Sequence, residues 1–233
     1  MLDPIIALVL ITALVSAMNP YIIGALTLLS SVVYGRGHSP AKVIRLGIAY
    51  IVTMFAMSVL GGIVLLYLMS LLPLIALDYL VLGIGVLVVC AGLLEIKDFF
   101  WYGQGLSMRA PAMVAANIRQ LTKGRPTLGM AVMLGIFVAI VSAPASSAPY
   151  FATVTILRGN FGVDGVSLLV LYSALFSLPM IVMLLMVASG VKVSTLMQWR
   201  EDTKGSMRLG IGLLLIALGW ILILTANGVL NFG

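Results

Sequence analysis

Two short polar segments interrupt apolar stretches of the sequence, and each contains a proline near its middle. The first holds Ser16, Asn19, Pro20 and Tyr21, and the second surrounds Pro144. A proline inside a helix removes one backbone donor and clashes with the carbonyl four residues earlier. In hydrocarbon the freed carbonyl must be satisfied within protein or in a cavity. The two segments therefore predict places where a polar group or a reacting partner can bind.

The hydroxyl groups near these prolines have two interpretations. They can repair kinks and let helices pack closely, as serine and glycine do in membrane helices. Their occurrence at matching places in the two halves of the chain favours instead a shared functional site near the membrane midplane. The candidate residues along that path are Asn19, Pro20, Pro144, Ser146, Ser147, Pro149 and Tyr150. With one histidine and one cysteine in the chain, no metal site of the His/Cys type is expected.

Composition places these segments in a membrane protein. The chain is 62% hydrophobic and 9% charged, against about 25% charged residues in soluble domains. The net charge of +6 does not point to nucleic acid, because the basic residues lie between apolar runs, where they set topology. The expected partner is the lipid bilayer, and Cys90 is expected to be a small buried residue.

The charge-free stretches predict an all-α integral membrane protein with six transmembrane helices. The predicted helices lie near 5–32, 46–70, 77–95, 128–156, 166–191 and 209–229. The loops at 33–45, 96–127 and 192–208 hold 12 of the 13 Lys and Arg residues, so the positive-inside rule places them in the cytoplasm. We therefore expect a multi-pass protein of the cell membrane, with both termini extracytoplasmic.

The six helices divide into two triplets within one transmembrane domain, residues 1–233. The uncharged stretches 4–35 and 126–157 open the two triplets, and each has its proline near the middle. An odd number of helices per triplet inverts the second one relative to the first, a pattern typical of transporters. The sequence thus predicts a 3+3 inverted-topology repeat, approximately 1–103 and 125–233, whose first and fourth helices are broken by proline.

Three runs of residues resemble one known family. The run Met18–Leu26 resembles the Asn-Pro-Cys segment that opens CcdA proteins, the small relatives of the DsbD membrane domain. The run Ala143–Tyr150 is similar to that family's second motif, and Leu94–Gly103 is similar to its cytoplasmic loop. The resemblance implies a transmembrane electron transporter for cytochrome c maturation. Its cysteine pair would take electrons from cytoplasmic thioredoxin and reduce an extracytoplasmic thioredoxin-like protein, without a further cofactor.

The two positions that match the family's redox cysteines are Tyr21 and Ala145. Neither is a thiol, so the chain as written is expected not to catalyse dithiol exchange. Either the cysteines of a working carrier have been replaced, or the chain is a natural cysteine-free relative that moves something else or only binds a partner. The main alternative function is a small-solute or ion exporter of related architecture, with Asn19, Ser146, Ser147 and Tyr150 as ligands. Its predicted membrane interior lacks charged side chains that could couple transport to protons or cations.

Overall fold

The computed structural model describes residues 2–17, 20–35, 39–101, 120, 126–157, 163–191 and 193–229. Seven α-helices account for most of these residues. In chain order they are α1 (Leu2–Ala17), α2 (Pro20–Gly35), α3 (Pro40–Ser70), α4 (Leu74–Phe100), α5 (Leu128–Leu157), α6 (Val163–Ala188) and α7 (Val193–Ala226).

Four helical segments within these ranges are long and apolar enough to cross a membrane: Pro40–Ser70, Ile75–Phe100, Asp164–Ala188 and Gly205–Ala226. Shorter apolar segments occur at Ile5–Ala17, Gly24–Tyr34 and Leu128–Val141. Large apolar side chains cover the outer surface, as Ile75 and Leu87 do with 74% and 69% of their area exposed. Water would make such a surface an association site, whereas lipid tails are as apolar as leucine. The protein is therefore an all-α membrane protein.

Proline and glycine mark several helix ends. Pro40 opens α3 at a position where its missing N–H costs no hydrogen bond. Gly190 follows α6 with a φ of 97°, and Gly228 follows α7 with a φ of 71°. At both ends the next residue, Val191 or Val229, donates its N–H to a carbonyl five residues earlier. This is the Schellman arrangement, which requires the left-handed conformation that glycine adopts without strain.

The helices α4 and α7 form an antiparallel pair in backbone contact. A Cβ added to Gly92 would lie 2.7 Å from the carbonyl oxygen of Gly212, and one added to Gly219 would lie 2.8 Å from the carbonyl oxygen of Gly85. Small residues at these positions let two membrane helices approach closely. The pair packs along much of its length, and α4 also contacts α5.

The helices α1, α3, α5 and α6 form the interior of the protein. Helix α3 packs on both α5 and α6, and α1 packs on the same two helices. Fully buried side chains at these contacts include Tyr50 on α3, Leu134 on α5 and Tyr172 on α6. Helix α2 contacts α3, α5 and α6. This interior also brings α1 into contact with α5, the helix that contains Pro144.

The structure corrects three expectations. Helix α5 runs without interruption from Leu128 to Leu157, so the predicted break of the fourth helix at Pro144 is wrong. A proline removes one hydrogen bond, and the remaining ladder can continue the helix, as it also does around Pro179 in α6. Cys90 is exposed rather than buried. Helix α7 begins at Val193 rather than near residue 209, because charged residues mark where a chain leaves the membrane and do not end a helix.

The chain that would form the first spanning helix is described as two helices. Helix α1 ends at Ala17 and α2 begins at Pro20. Residues 18 and 19, at the predicted break, lie outside the described residues. The helix-like spacing of Met113, Val114, Ile118 and Leu121 predicts a short amphipathic helix on the membrane surface, and these residues also lie outside those described.

Candidate functional site

Only part of the predicted site falls within the description of the structure. Asn19 lies outside the described residues. Pro20 and Tyr21 open α2, and Pro144, Ala145, Ser146 and Ser147 belong to the backbone of α5, but their side chains are not among those described. Pro149 is buried and Tyr150 is half-buried on the same helix. Within the described part of the chain, Tyr150 is the predicted site residue whose side chain makes a polar contact with another helix.

The Tyr150 side chain connects α5 to the middle of α3. Its hydroxyl donates a hydrogen bond to the backbone carbonyl of Ser58. Two glycines on α3 make room for it, since a Cβ on Gly62 would lie 2.8 Å from the tyrosine oxygen and one on Gly61 would lie 3.5 Å away. The Ser58 hydroxyl in turn accepts a hydrogen bond of 3.0 Å from the Ser173 hydroxyl on α6. Three helices thus meet through polar groups.

A second tyrosine extends these contacts to α1. The ring of Tyr172 on α6 lies 5.5 Å from the ring of Tyr150, centroid to centroid. The Tyr172 hydroxyl donates a hydrogen bond of 2.6 Å to the Ser16 hydroxyl, which is close to the end of α1. Burial of both groups makes this bond costly to leave unsatisfied.

One helical turn from Ser16 on α1, and one turn from Tyr150 on α5, the two helices make a direct polar contact. The Thr153 hydroxyl donates to the Thr12 hydroxyl at 2.6 Å, and both side chains are fully buried. Thr12 also bonds to the carbonyl of Leu8 at 2.8 Å, which holds its side chain against its own helix. We call the set Thr12, Ser16, Ser58, Tyr150, Thr153, Tyr172 and Ser173 the hydroxyl cluster. It occupies the interface of α1, α3, α5 and α6.

Two further tyrosines nearby donate hydrogen bonds to backbone carbonyls of neighbouring helices. The Tyr50 hydroxyl on α3 donates to the carbonyl of Ile22, at 3.1 Å, two residues after the start of α2. The Tyr34 hydroxyl at the end of α2 donates to the carbonyl of Val187 on α6, also at 3.1 Å. Helix α2 is therefore held by side chains at both its ends.

The hydroxyl cluster has a narrow chemical range. Its members donate and accept hydrogen bonds, but none carries a thiol, carboxylate, amine or imidazole. It offers hydrogen-bond donors and acceptors of the kind that bind polar solutes, and it has no thiol with which to exchange a disulfide. Among the residues that the structure describes, no group of three His, Cys, Asp or Glu side chains could hold a metal ion.

A group of four charged side chains lies near the C-terminal end of α4, where Arg208 of α7 packs against it. Arg208 bonds to Asp98 at 2.7 Å and lies 3.5 Å from Glu95, and Lys97 lies 2.7 Å from Asp98. The Asp98 side chain is fully buried and that of Arg208 is 9% exposed. A buried acid–base pair of this kind ties the two helices together and is separate from the hydroxyl cluster.

Most members of the hydroxyl cluster were not singled out from the sequence. Ser16 and Tyr150 were, because they lie near the prolines, but Thr12, Ser58 and Ser173 were not. Their helical spacing carried a signal: Thr12 precedes Ser16 by one turn and Thr153 follows Tyr150 by one turn, so each pair shares a helix face. This one-turn spacing of hydroxyl residues in otherwise apolar helices is the sequence feature that indicates the cluster.

Comparison with known proteins adds no relative. No protein-family model, no curated protein and no solved structure matches the chain.

Proposed function

We propose that this protein is a CcdA-like transmembrane carrier made of two inverted three-helix halves. The family passes reducing equivalents from cytoplasmic thioredoxin to extracytoplasmic thioredoxin-like proteins during cytochrome c maturation. In this chain the positions that match the family's redox cysteines are Tyr21 and Ala145, so the chain as written should not catalyse dithiol exchange.

The observation that carries the proposal is the symmetry of the α4–α7 contact. Gly85 and Gly92 are seven residues apart on α4, and Gly212 and Gly219 are seven residues apart on α7. Gly85 meets Gly219, and Gly92 meets Gly212. Suppose that Gly85 corresponds to Gly212, and Gly92 to Gly219. Exchanging the two halves then converts the Gly85–Gly219 contact into the Gly92–Gly212 contact. A two-fold axis relating two inverted halves would produce such a pairing of their third helices.

The packing of the interior supports the same relation. With α1 and α2 taken as the first spanning helix, α3 and α6 are the second helices of the two halves, and they contact each other. Each of them also packs against the first helix of the other half: α3 against α5, and α6 against α1. The ends of α3 and α6 match as well, because Ser70 and Ser189 each donate to a carbonyl three residues earlier.

The proposed topology has six spans, with both termini extracytoplasmic. Residues 36–42, 104–124 and 198–206 would face the cytoplasm, and the segment near 158–164 would face outward. The distribution of Lys and Arg supports this orientation. The hydroxyl cluster would then lie inside the membrane, between helices from both halves, where alternating access would expose it to each side in turn.

The function is tested by restoring both thiols. The double variant Tyr21→Cys/Ala145→Cys, in a Cys90→Ala background, should form a disulfide under oxidation and accept electrons from reduced thioredoxin. The Cα atoms of the two new cysteines must approach within about 7 Å for this to happen. The readout is the thiol redox state, measured by alkylation shift with and without thioredoxin and its reductase.

The single variants Tyr21→Cys and Ala145→Cys are the matched controls. Each should remain unable to form an internal disulfide, although either can trap a mixed disulfide with thioredoxin. The electron-carrier proposal fails if the double variant is folded, yet forms no disulfide and takes no electrons from thioredoxin.

A second candidate is a carrier for a small hydroxylated or otherwise polar solute. The observation that favours it is the hydroxyl cluster, whose donors and acceptors could replace the hydration of such a solute. Transport in proteoliposomes should then fall when Thr12 and Thr153 are both replaced by Val, which keeps their shape and removes their hydrogen bonds. Unchanged flux of every polar solute that the wild type moves would contradict this second candidate.

A further inference from the structure

A cavity of about 460 Å³ opens between the start of α3 and the start of α5. Its lining combines two basic residues, Lys42 and Arg45, with the residues that open α5. The described lining is Ala41, Lys42, Arg45, Leu46, Pro126, Thr127 and Leu128. The volume lies within the range of roughly 300–1,000 Å³ typical of small-molecule sites.

The electrostatics of this cavity favour an anion. Lys42 belongs to the first turn of α3 and Arg45 follows one turn later, so both cations face the same side of the helix. Both residues line the cavity, so an anion bound in it would lie beside two positive charges. The N-termini of α3 and α5 both border the cavity. They add partial positive charge, because a helix dipole is positive at its N-terminus.

Thr127 adds a hydrogen-bond donor at the cavity rim. Its hydroxyl oxygen accepts the backbone N–H of Met130 at 3.2 Å, as an N-cap residue does. Its hydroxyl hydrogen can then point towards a ligand, since a hydroxyl donates one bond while it accepts others. Leu46, which is buried, and Leu128, which is exposed, give the same cavity an apolar wall. Cations, a hydroxyl and an apolar wall at the end of spanning helices match the headgroup region of a membrane.

We propose that this cavity binds a phosphate group, supplied by an anionic phospholipid or by free inorganic phosphate. Lys42 and Arg45 would contact the phosphate oxygens, and Thr127 would donate a further hydrogen bond. For a lipid, the first part of an acyl chain would lie along Leu128. Basic pockets at the ends of transmembrane helices bind anionic headgroups in this way. The site is independent of whether the protein carries electrons.

The test compares phosphatidylglycerol, phosphatidylcholine and inorganic phosphate on the full chain in a neutral detergent. Native mass spectrometry measures lipid binding, and thermal unfolding in potassium phosphate against potassium chloride, at equal ionic strength, measures the free anion. We expect one phosphatidylglycerol per protein, bound at least about tenfold more tightly than phosphatidylcholine. Stabilisation by phosphate, and displacement of the lipid by it, would identify free phosphate as a ligand of the same site.

Three variants separate a built site from general attraction to a basic surface. The double variant Lys42→Gln/Arg45→Gln should weaken binding about a hundredfold, since each charge-assisted hydrogen bond contributes about tenfold or more. Lys42→Arg keeps the charge and should retain binding. Leu128→Trp keeps every charge and fills the cavity, so it should also abolish binding. The proposal is overturned if neither phosphate source binds, or if the Gln double variant or the Trp variant binds like the wild type.

Discussion

The contact between α4 and α7 leaves no room for a methyl group at Gly92. A Cβ there would lie 2.7 Å from the carbonyl oxygen of Gly212 and 3.0 Å from the backbone nitrogen of Ile216. Ordinary contact begins near 3.4 Å, so the two helices must separate by about 0.7 Å at this point, and a close-packed interior resists such a shift. Backbone atoms cannot rotate out of the way, so a whole segment of α7 has to move.

The expected cost of Gly92→Ala follows from two opposing effects. Overpacking of this kind costs about 1–3 kcal/mol, while replacing glycine by alanine inside a helix gains up to about 1 kcal/mol. We therefore expect the free energy of unfolding to fall by about 1–2 kcal/mol. The assay is reversible unfolding in mixed detergent micelles, followed by tryptophan fluorescence.

The matched controls are glycines on the same two helices that face open space. A Cβ on Gly83 of α4 or on Gly210 of α7 would meet nothing within 4 Å. Gly83→Ala and Gly210→Ala should therefore leave the unfolding free energy unchanged or raise it by up to about 1 kcal/mol. Equal effects at Gly92 and Gly83 would refute the reasoning, because they would show that the glycine contact does not set the separation of the helices.

Two further substitutions probe the polar contacts. Arg208→Met removes the cation that hydrogen-bonds to the buried Asp98 carboxylate and should lower the unfolding free energy by about 3 kcal/mol; an unchanged denaturation midpoint would contradict the buried pair. Tyr150→Phe removes the hydrogen bond to the Ser58 carbonyl and should cost about 1 kcal/mol in the same assay. The control is Tyr79→Phe, at a side chain that is 73% exposed, which should show no loss.

The positions of the helices were largely predictable from charge alone. The charge-free stretches located α3, α4, α5 and α6 within several residues of their observed bounds. Helix ends were less predictable, as α7 shows: its first turns carry charged residues and still form a helix from Val193. Charge reports the membrane boundary, whereas backbone hydrogen bonds continue beyond it.

Hydrophobicity did not predict which side chains face lipid and which face the protein interior. Cys90 was expected to be buried and is exposed, because in a membrane helix an apolar residue is equally stable against lipid and against protein. The partners of Tyr150 depended on which helices meet. No local feature of Ser58 or Tyr172 specifies a contact with α5, and only the packed arrangement of α3, α5 and α6 creates it.

The central claim is that the second half of the chain is inverted relative to the first. Labelling at corresponding helix ends of the two halves tests it directly. Ser70 and Ser189 are exposed at the ends of α3 and α6, the corresponding helices of the two proposed halves. Single cysteines at these positions, in a Cys90→Ala background, should be labelled from opposite sides of the membrane by an impermeant maleimide. We expect Ser70→Cys to react in intact cells and Ser189→Cys to react only after permeabilisation. Reaction of both from the same side would contradict the inverted repeat.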